Sequence, residues 1–299
     1  MAIFCTRRGQ SLIPGKIRHP LSVAASVLVL FLAMFHSSVA AQSEDDRLCD
    51  DPSAFTLAAE DGFFPYTGMF EGKLRGFSLD IVSAAFSAVG CEVKFVAMPY
   101  ARCIRDVQAG RHLGCFNTTN SADNQEKFIF HSRPLFRGRI LIYAHPDWVG
   151  PFTEDAFETR SFSVVRGYTY TDAFDRSSTI RKIAVESDLQ TLAMVARNRA
   201  DFAMVYEKVA QFQIGWNRER ITPSPVPAHM LVEYDLFVSF SRISGQLSVK
   251  LARALDAGLE KIRNNGTYAK IDAAWNGWLS EGVQTAEPPP KWTAHGIGN

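Results

Sequence analysis

The residues able to do chemistry in this 299-residue chain fall in short polar and aromatic clusters. Glu60-Asp61-Gly62 runs into Phe63, Phe64, Pro65 and Tyr66; Tyr100 and Arg102 flank one alanine; Asn117, Thr118, Thr119, Asn120 and Ser121 are consecutive. Further on stand Gly167-Tyr168-Thr169-Tyr170 and Tyr206-Glu207. Rings that pack, hydroxyls and amides that hydrogen-bond, and isolated charges make recognition chemistry. No phosphate-binding glycine loop, serine elbow or paired-carboxylate spacing accompanies them. His112, His131, His145 and His229 are scattered and no CxxC occurs, so neither a metal nor another cofactor is expected. The sequence therefore points to binding and to no catalytic residue.

The elements that must position these clusters alternate between strand and helix. Phe55, Leu57 and Ala59 lie in a short apolar run, as in a parallel core strand. Glu71-Gly72-Lys73 is a turn, and Gly76-Phe77-Ser78 leads into a helix carrying Leu79, Ile81, Val82, Ala85, Phe86 and Val89. Gly90 caps it, Cys91–Met98 is a second strand, Pro99 opens a helix through Val107, and Leu113–Phe116 is a third strand. This order predicts a parallel sheet with right-handed crossovers. Ligands of open α/β sheets bind beyond the carboxyl ends of the strands. The Phe63–Tyr66 loop, Tyr100–Arg102 and Asn117–Ser121 all fall at that edge. The alternative for Phe63 and Phe64 is an ordinary core position under the loop.

A second α/β series follows the extended run Ser132–Tyr143. Phe162–Val165, Ile183–Val185 and Asp201–Val205 read as strands, and Asp188–Asn198 as a helix. Gly167 permits a backbone angle that lets the next helix offer amide donors. Pro223, Pro225 and Pro227 punctuate a loop before the extended Tyr234–Ser239, and two helices close the fold. From Glu281, with Pro288-Pro289-Pro290, the chain reads as a flexible tail (281–299).

At the other end, Arg7, Arg8, Lys16 and Arg18 precede the apolar Leu21–Phe35 and the small residues Ser38–Ala41. That is the pattern of a cleaved export signal over 1–41, and the apolar run is short for a membrane span. Those four cations are lost from 32 basic side chains against 31 acidic ones, so the exported part is mildly acidic. Nothing suggests nucleic acid as a partner. Cys49, Cys91, Cys103 and Cys115 remain for an oxidising compartment. Three pairings are open. Their positions relative to the predicted elements favour 103–115 with 49–91.

Three stretches carry a resemblance to a known family. GKLRGFSLDI (Gly72–Ile81), FIFHSRPLF (Phe128–Phe136) and LARALDAGLEKIRNNGTYAKIDAAWNGW (Leu251–Trp278) resemble segments of the bacterial extracellular solute-binding proteins of family 3. The resemblance implies a type II periplasmic-binding-protein fold: two α/β lobes, each a mainly parallel sheet flanked by helices, joined by a two-segment hinge near Arg139–His145 and Tyr234–Ser239. Lobe 1 would be 42–144 with 234–280, and lobe 2 would be 145–233. It further implies a monomeric receptor for a small polar solute, such as an amino acid, serving the membrane permease of an ABC importer. A periplasmic dehydratase-like enzyme, with Glu60 or Glu207 as acid, and a stand-alone sensor partner are the alternatives.

Matched by position, Asp61, Phe63, Phe64 and Tyr66 form the first cleft loop and Tyr100 its aromatic neighbour. Asn117, Thr118 and Thr119, with Gly167, Tyr168 and Thr169, match carboxylate-binding loops, and Tyr206 or Glu207 the acidic position for an amine. The chain departs from the pattern where it matters. Gln125 stands at the carboxylate-binding Arg position, Ala122 at its Thr, and Tyr206 at the acid. Loss of a bidentate cation removes the strongest contact to a carboxylate. Arg102 or Arg133 would have to replace it, or the ligand is not a free α-amino acid.

Overall fold

The computed structural model describes residues 54–281, 287–293 and 296–297. The expected export signal, Cys5 and Cys49 lie outside these residues.

Strand β1 (Phe55–Glu60) precedes a small antiparallel sheet of β2 (Gly62–Phe63), β3 (Thr67–Phe70) and β4 (Lys73–Arg75). Helix α1 (Phe77–Ala88), β5 (Val93–Met98), α2 (Tyr100–Gln108), β6 (Gly114–Thr119), α3 (Ala122–Lys127), β7 (Phe128–Phe130) and β8 (Phe136–Ala144) follow. Then come α4 (Ala156–Thr159), β9 (Ser161–Val165), α5 (Asp172–Arg176), β10 (Arg181–Val185), α6 (Asp188–Ala196), β11 (Phe202–Tyr206) and α7 (Glu207–Trp216). The long strand β12 (Val226–Ser241) leads to α8 (Gln246–Asn264) and α9 (Thr267–Glu281).

The main sheet runs β10-β9-β11-β8-β12-β6-β1-β5. Each end is parallel, β6-β1-β5 on one side and β10-β9-β11 on the other. The antiparallel pair β8·β12 joins the halves, with Leu236 opposite Phe136 and Val226 opposite Ala144. The two crossing strands expected near Arg139–His145 and Tyr234–Ser239 are therefore neighbours. The second begins earlier than its proline-rich lead predicts. Pro227 is accommodated inside β12 because the register shifts between Pro227 and His229, a bulge where a missing amide donor costs little.

The turn before α1 fixes the first cleft loop. Gly76 has φ 146, and a Cβ there would stand 2.1 Å from the Tyr66 carbonyl oxygen. The loop can thus lie against the helix start, where Phe77 N–H donates to Pro65 O and Ser78 N–H to Tyr66 O, both at 2.9 Å. Asp80, one turn on, is buried and accepts from Trp275 Nε1 (2.9 Å) and from the Trp292 backbone N–H (3.2 Å). The segment expected to be a flexible tail thus docks on α1 at Trp292, and Arg75 donates to the Pro288 and Pro289 carbonyls.

Cys103 and Cys115 form a disulfide, Cα–Cα 5.9 Å, tying α2 to β6 as expected. Cys91 is disulfide-bonded too; its expected partner, Cys49, is outside the described residues. Among the described residues no helix is long and apolar enough to cross a membrane, and no group of His, Cys, Asp and Glu could hold a metal ion.

Candidate ligand-binding site

The carboxyl ends of β1, β5, β6, β9 and β11 converge on one cavity between the halves of the sheet. Its walls are Glu60, Phe63, Tyr100, Asn117, Thr119, Tyr168, Thr169 and Tyr206. Its volume is about 10 Å³, the threshold for a single water. Side chains from both halves fill the space. Phe63 meets Tyr206 edge to face at 5.0 Å, Tyr100 meets Tyr168 likewise at 5.3 Å, and Phe63 meets Tyr168 at 6.0 Å.

Asn117 enters the cavity because β6 bulges there. Thr118 pairs with Phe237 and Phe116 with Val238, leaving Asn117 unpaired at φ 70. Asparagine tolerates this left-handed angle better than other side chains. Its amide accepts from Ser78 Oγ (2.7 Å) and donates to Thr67 Oγ1 (3.3 Å). The amide is thus held rigidly by α1 and the first cleft loop.

Gly167, at φ 85, turns the chain out of β9 into the segment carrying Tyr168 and Thr169. Tyr170 anchors that segment. Its hydroxyl accepts from Val165 N–H (2.8 Å), its own N–H donates to Asp175 Oδ2 (3.0 Å), and its carbonyl accepts from Tyr234 Oη on β12 (2.7 Å). From this frame Tyr168 reaches across and donates to Glu60 Oε1 at 2.6 Å. The same hydroxyl lies 3.2 Å from Asp188 Oδ2.

Glu60 and Asp188 are both buried, at 5% and 1% exposure. Asp188 Oδ1 finds no hydrogen-bond partner. Burial pushes the Glu60 carboxyl well above its ordinary range, only partly offset by the Tyr168 hydrogen bond, and Asp188 and Asp61 push it further. Burial likewise lifts Asp188 to about 7 against the stabilising Tyr168 hydroxyl. One phenol is thus shared by two carboxyls that resist ionisation, an arrangement suited to receiving a proton-rich or cationic group.

The structure brings Phe63, Tyr100, Asn117, Thr119, Tyr168, Thr169 and Tyr206, all named from the sequence, to one cavity. It adds Glu60, and behind it Asp188. Other expected site residues lie elsewhere. Phe64 is in the core among Phe70, Phe212, Trp275 and Trp278, as the alternative reading had it. Tyr66 stacks on Phe136 at 4.3 Å. Thr118 does not line the cavity: it is fully buried behind Tyr100 and shares a hydrogen bond with Ser239 Oγ. Asp61 is half-buried beside the cavity, its pKa raised by burial against the pull of Arg102, which is itself exposed on α2. Gln125 is exposed and donates to Asn120 O. Glu207 is engaged by Arg139 Nε at 2.8 Å, and Arg133 by Glu260 at 3.0 Å. No arginine or lysine lines the cavity.

Glu60, named from the sequence only as an acid in the enzyme alternative, carried a signal: it ends a mostly apolar strand whose last four residues are buried. Asp188 offered none, since Ser187-Asp188 reads as an ordinary capped helix start, and Ser187 does accept from Gln190 N–H.

Residues 55–278 match the family model for bacterial extracellular solute-binding proteins, family 3. No curated protein matches the chain. Among solved structures, a mutant of ArgBP from T. maritima aligns at TM-score 0.66 and 16% identity, over 78% of this chain and 99% of that one. A histidine kinase sensor domain with similarity to periplasmic binding proteins aligns at 0.67 and 17%, over 75% and 96%. The ancestral amino acid-binding protein AncCDT-1, a precursor of cyclohexadienyl dehydratase, aligns at 0.60 and 18%, over 76% and 95%. The shared architecture is that of type II periplasmic binding proteins.

Proposed function

The chain belongs to the bacterial extracellular solute-binding proteins, family 3, and from that premise we propose that it is a periplasmic receptor for a small polar solute. It captures the ligand between two lobes, 42–144 with 234–280 and 145–233, and as a monomer hands it to the permease of an ABC importer after export by the 1–41 signal. The carrying observation is convergence: side chains from both halves of the sheet meet in one cavity, with no metal cluster among the described residues. The chain crosses between the halves along β8 and β12, which pair with each other, and this supports the two-segment hinge arrangement of periplasmic receptors.

A thermal-shift screen of the purified protein against amino acids, amines, small carboxylates and sugars tests this. A ligand at a hundred times its Kd adds about 2.7 kcal/mol of stability, and small-angle scattering then reads compaction. No shift by any class, with no compaction, would sink the receptor reading.

A second reading rests on Glu60. A carboxyl whose ionisation is opposed by burial, set beside a tyrosine hydroxyl, is biased toward the form a general acid needs, and one structural neighbour is named as a precursor of a dehydratase. Incubation with cyclic acids, followed for a dehydrated product, tests it. Turnover abolished by Glu60→Gln supports catalysis; unchanged substrates leave binding alone.

A further inference from the structure

The cavity's composition narrows the ligand further than the family does, an inference that rests on the receptor reading above. Four aromatic rings, Phe63, Tyr100, Tyr168 and Tyr206, bound it, with ring centroids 5.0–6.4 Å apart in the pairs Phe63–Tyr206, Tyr100–Tyr168, Phe63–Tyr168 and Tyr168–Tyr206. The only ionisable group in the wall besides the phenols is Glu60. Rings around a site with one carboxylate are the arrangement that holds organic cations, because ring faces attract positive charge within about 6 Å.

Nothing in this wall balances an anion. Of the cations nearby, Arg139 pairs with Glu207, Arg166 with Glu186 and Arg176 with Asp123 and Asp172, and the exposed Arg102 acts on Asp61 without lining the cavity. A ligand carboxylate would meet Glu60, and behind it Asp188, without a counter-charge, and an uncompensated buried charge is costly. The Asp188 oxygen left without a partner is an acceptor awaiting a donor. The Tyr168 hydroxyl, held between the two carboxyls, marks where that donor goes. Tyr168 also forms the partition to an outer cavity of about 340 Å³, so swinging it outward makes room that the closed cavity lacks.

We propose that this site recognises a small alkylammonium cation bearing no carboxylate, caged by the four rings and neutralised by Glu60 and Asp188 in place of the Tyr168 hydroxyl.

Titration calorimetry of the purified protein with choline, tetramethylammonium, putrescine, arginine and glutamate tests this. The amines without carboxylates are expected to bind at least about tenfold more tightly than arginine, and glutamate not at all. Glu60→Gln and Tyr206→Leu are expected to weaken that binding about tenfold, whereas Tyr206→Phe, which keeps the ring, preserves it. Melting curves of each variant report whether it folds, and the wild-type ligand ranking stands without any variant. Preference for arginine or glutamate would overturn the cation-cage inference while leaving the receptor intact. Binding of a neutral sugar alone would do the same. Silence from all five probes, with hits from no other class in the thermal screen, would remove both.

Discussion

At the scale of single residues, the Glu60–Tyr168–Asp188 contact makes two demands. Tyr168→Phe leaves two buried carboxyls without their shared donor, and an unsatisfied buried polar group costs about 1–3 kcal/mol. Chemical denaturation should show a loss of that size, greater at pH 8 than at pH 5, because ionised carboxylates need the donor more. The second demand concerns pH. The pKa of Asp188 is about 7 in the folded protein and lies near 3.9 in an unfolded chain, so the folded state binds this proton more tightly. Stability is then fullest in acid and falls as pH rises from about 4 through about 7. Glu60, faced by Tyr168, Asp188, Asp61 and Tyr100, acts in the same direction, as does Asp80, lifted to about 6 by burial against the hydrogen bonds from Trp275 and Trp292. The melting midpoint should drop between pH 5 and pH 8, by about 2–4 °C for each kcal/mol lost. Asp188→Asn should flatten the slope; an unchanged slope would refute this account. These pairings explain what the sequence concealed. Tyr168 was readable from the glycine before it, but its partners are 108 and 20 residues away, and no local pattern encodes such distances.

At the scale of elements, legibility followed locality. The strand–turn–helix from Phe55 to Ala88 could be read because each part has its own signal: an apolar run, a glycine turn, a helical stripe. Phe63 and Phe64 adjoin in sequence yet part company. The two-residue strand β2 sends Phe63 toward Tyr206 and leaves Phe64 among Phe70, Phe212 and the tryptophans. Phe64 lies just past the end of β2, in the turn before Pro65, so which ring becomes cleft depends on that turn and on the other half of the sheet. Gly76 tests the turn. Gly76→Ala would drive a methyl against the Tyr66 carbonyl, and the fold should lose at least about 2 kcal/mol, among the larger single-site effects, measured by urea denaturation. The 103–115 disulfide closes a short loop, so replacing both cysteines by serine should cost about 2–3 kcal/mol in the same assay. A loss below about 1 kcal/mol would mean the α2–β6 contact is held by packing alone.

At the scale of the whole molecule, one sheet spans both halves, and closure is held at the cleft by Tyr168–Glu60 and by the Arg176–Asp123 pair at 3.6 Å. The latter joins exposed side chains and contributes little. Removing the inner contact with Tyr168→Ala should therefore raise the ligand-free radius of gyration measured by scattering, while Asp123→Asn leaves it unchanged. Equal radii for wild type and Tyr168→Ala would show that the cleft is closed by the strands themselves. Behind the first cleft loop, Phe64 and Phe70 pack on Phe212 and Trp216 of α7 and on Trp275 and Trp278 of α9. Together with Trp148 and Trp292 these are all five tryptophans of the chain, and none lines the ligand cavity. The protein therefore carries its own optical gauge. Trp216, 42% exposed against Phe70, registers how α7 sits on the first cleft loop, so a change in emission on adding a solute reports movement of the halves, whereas a solute that binds without moving them leaves the spectrum dark to its presence.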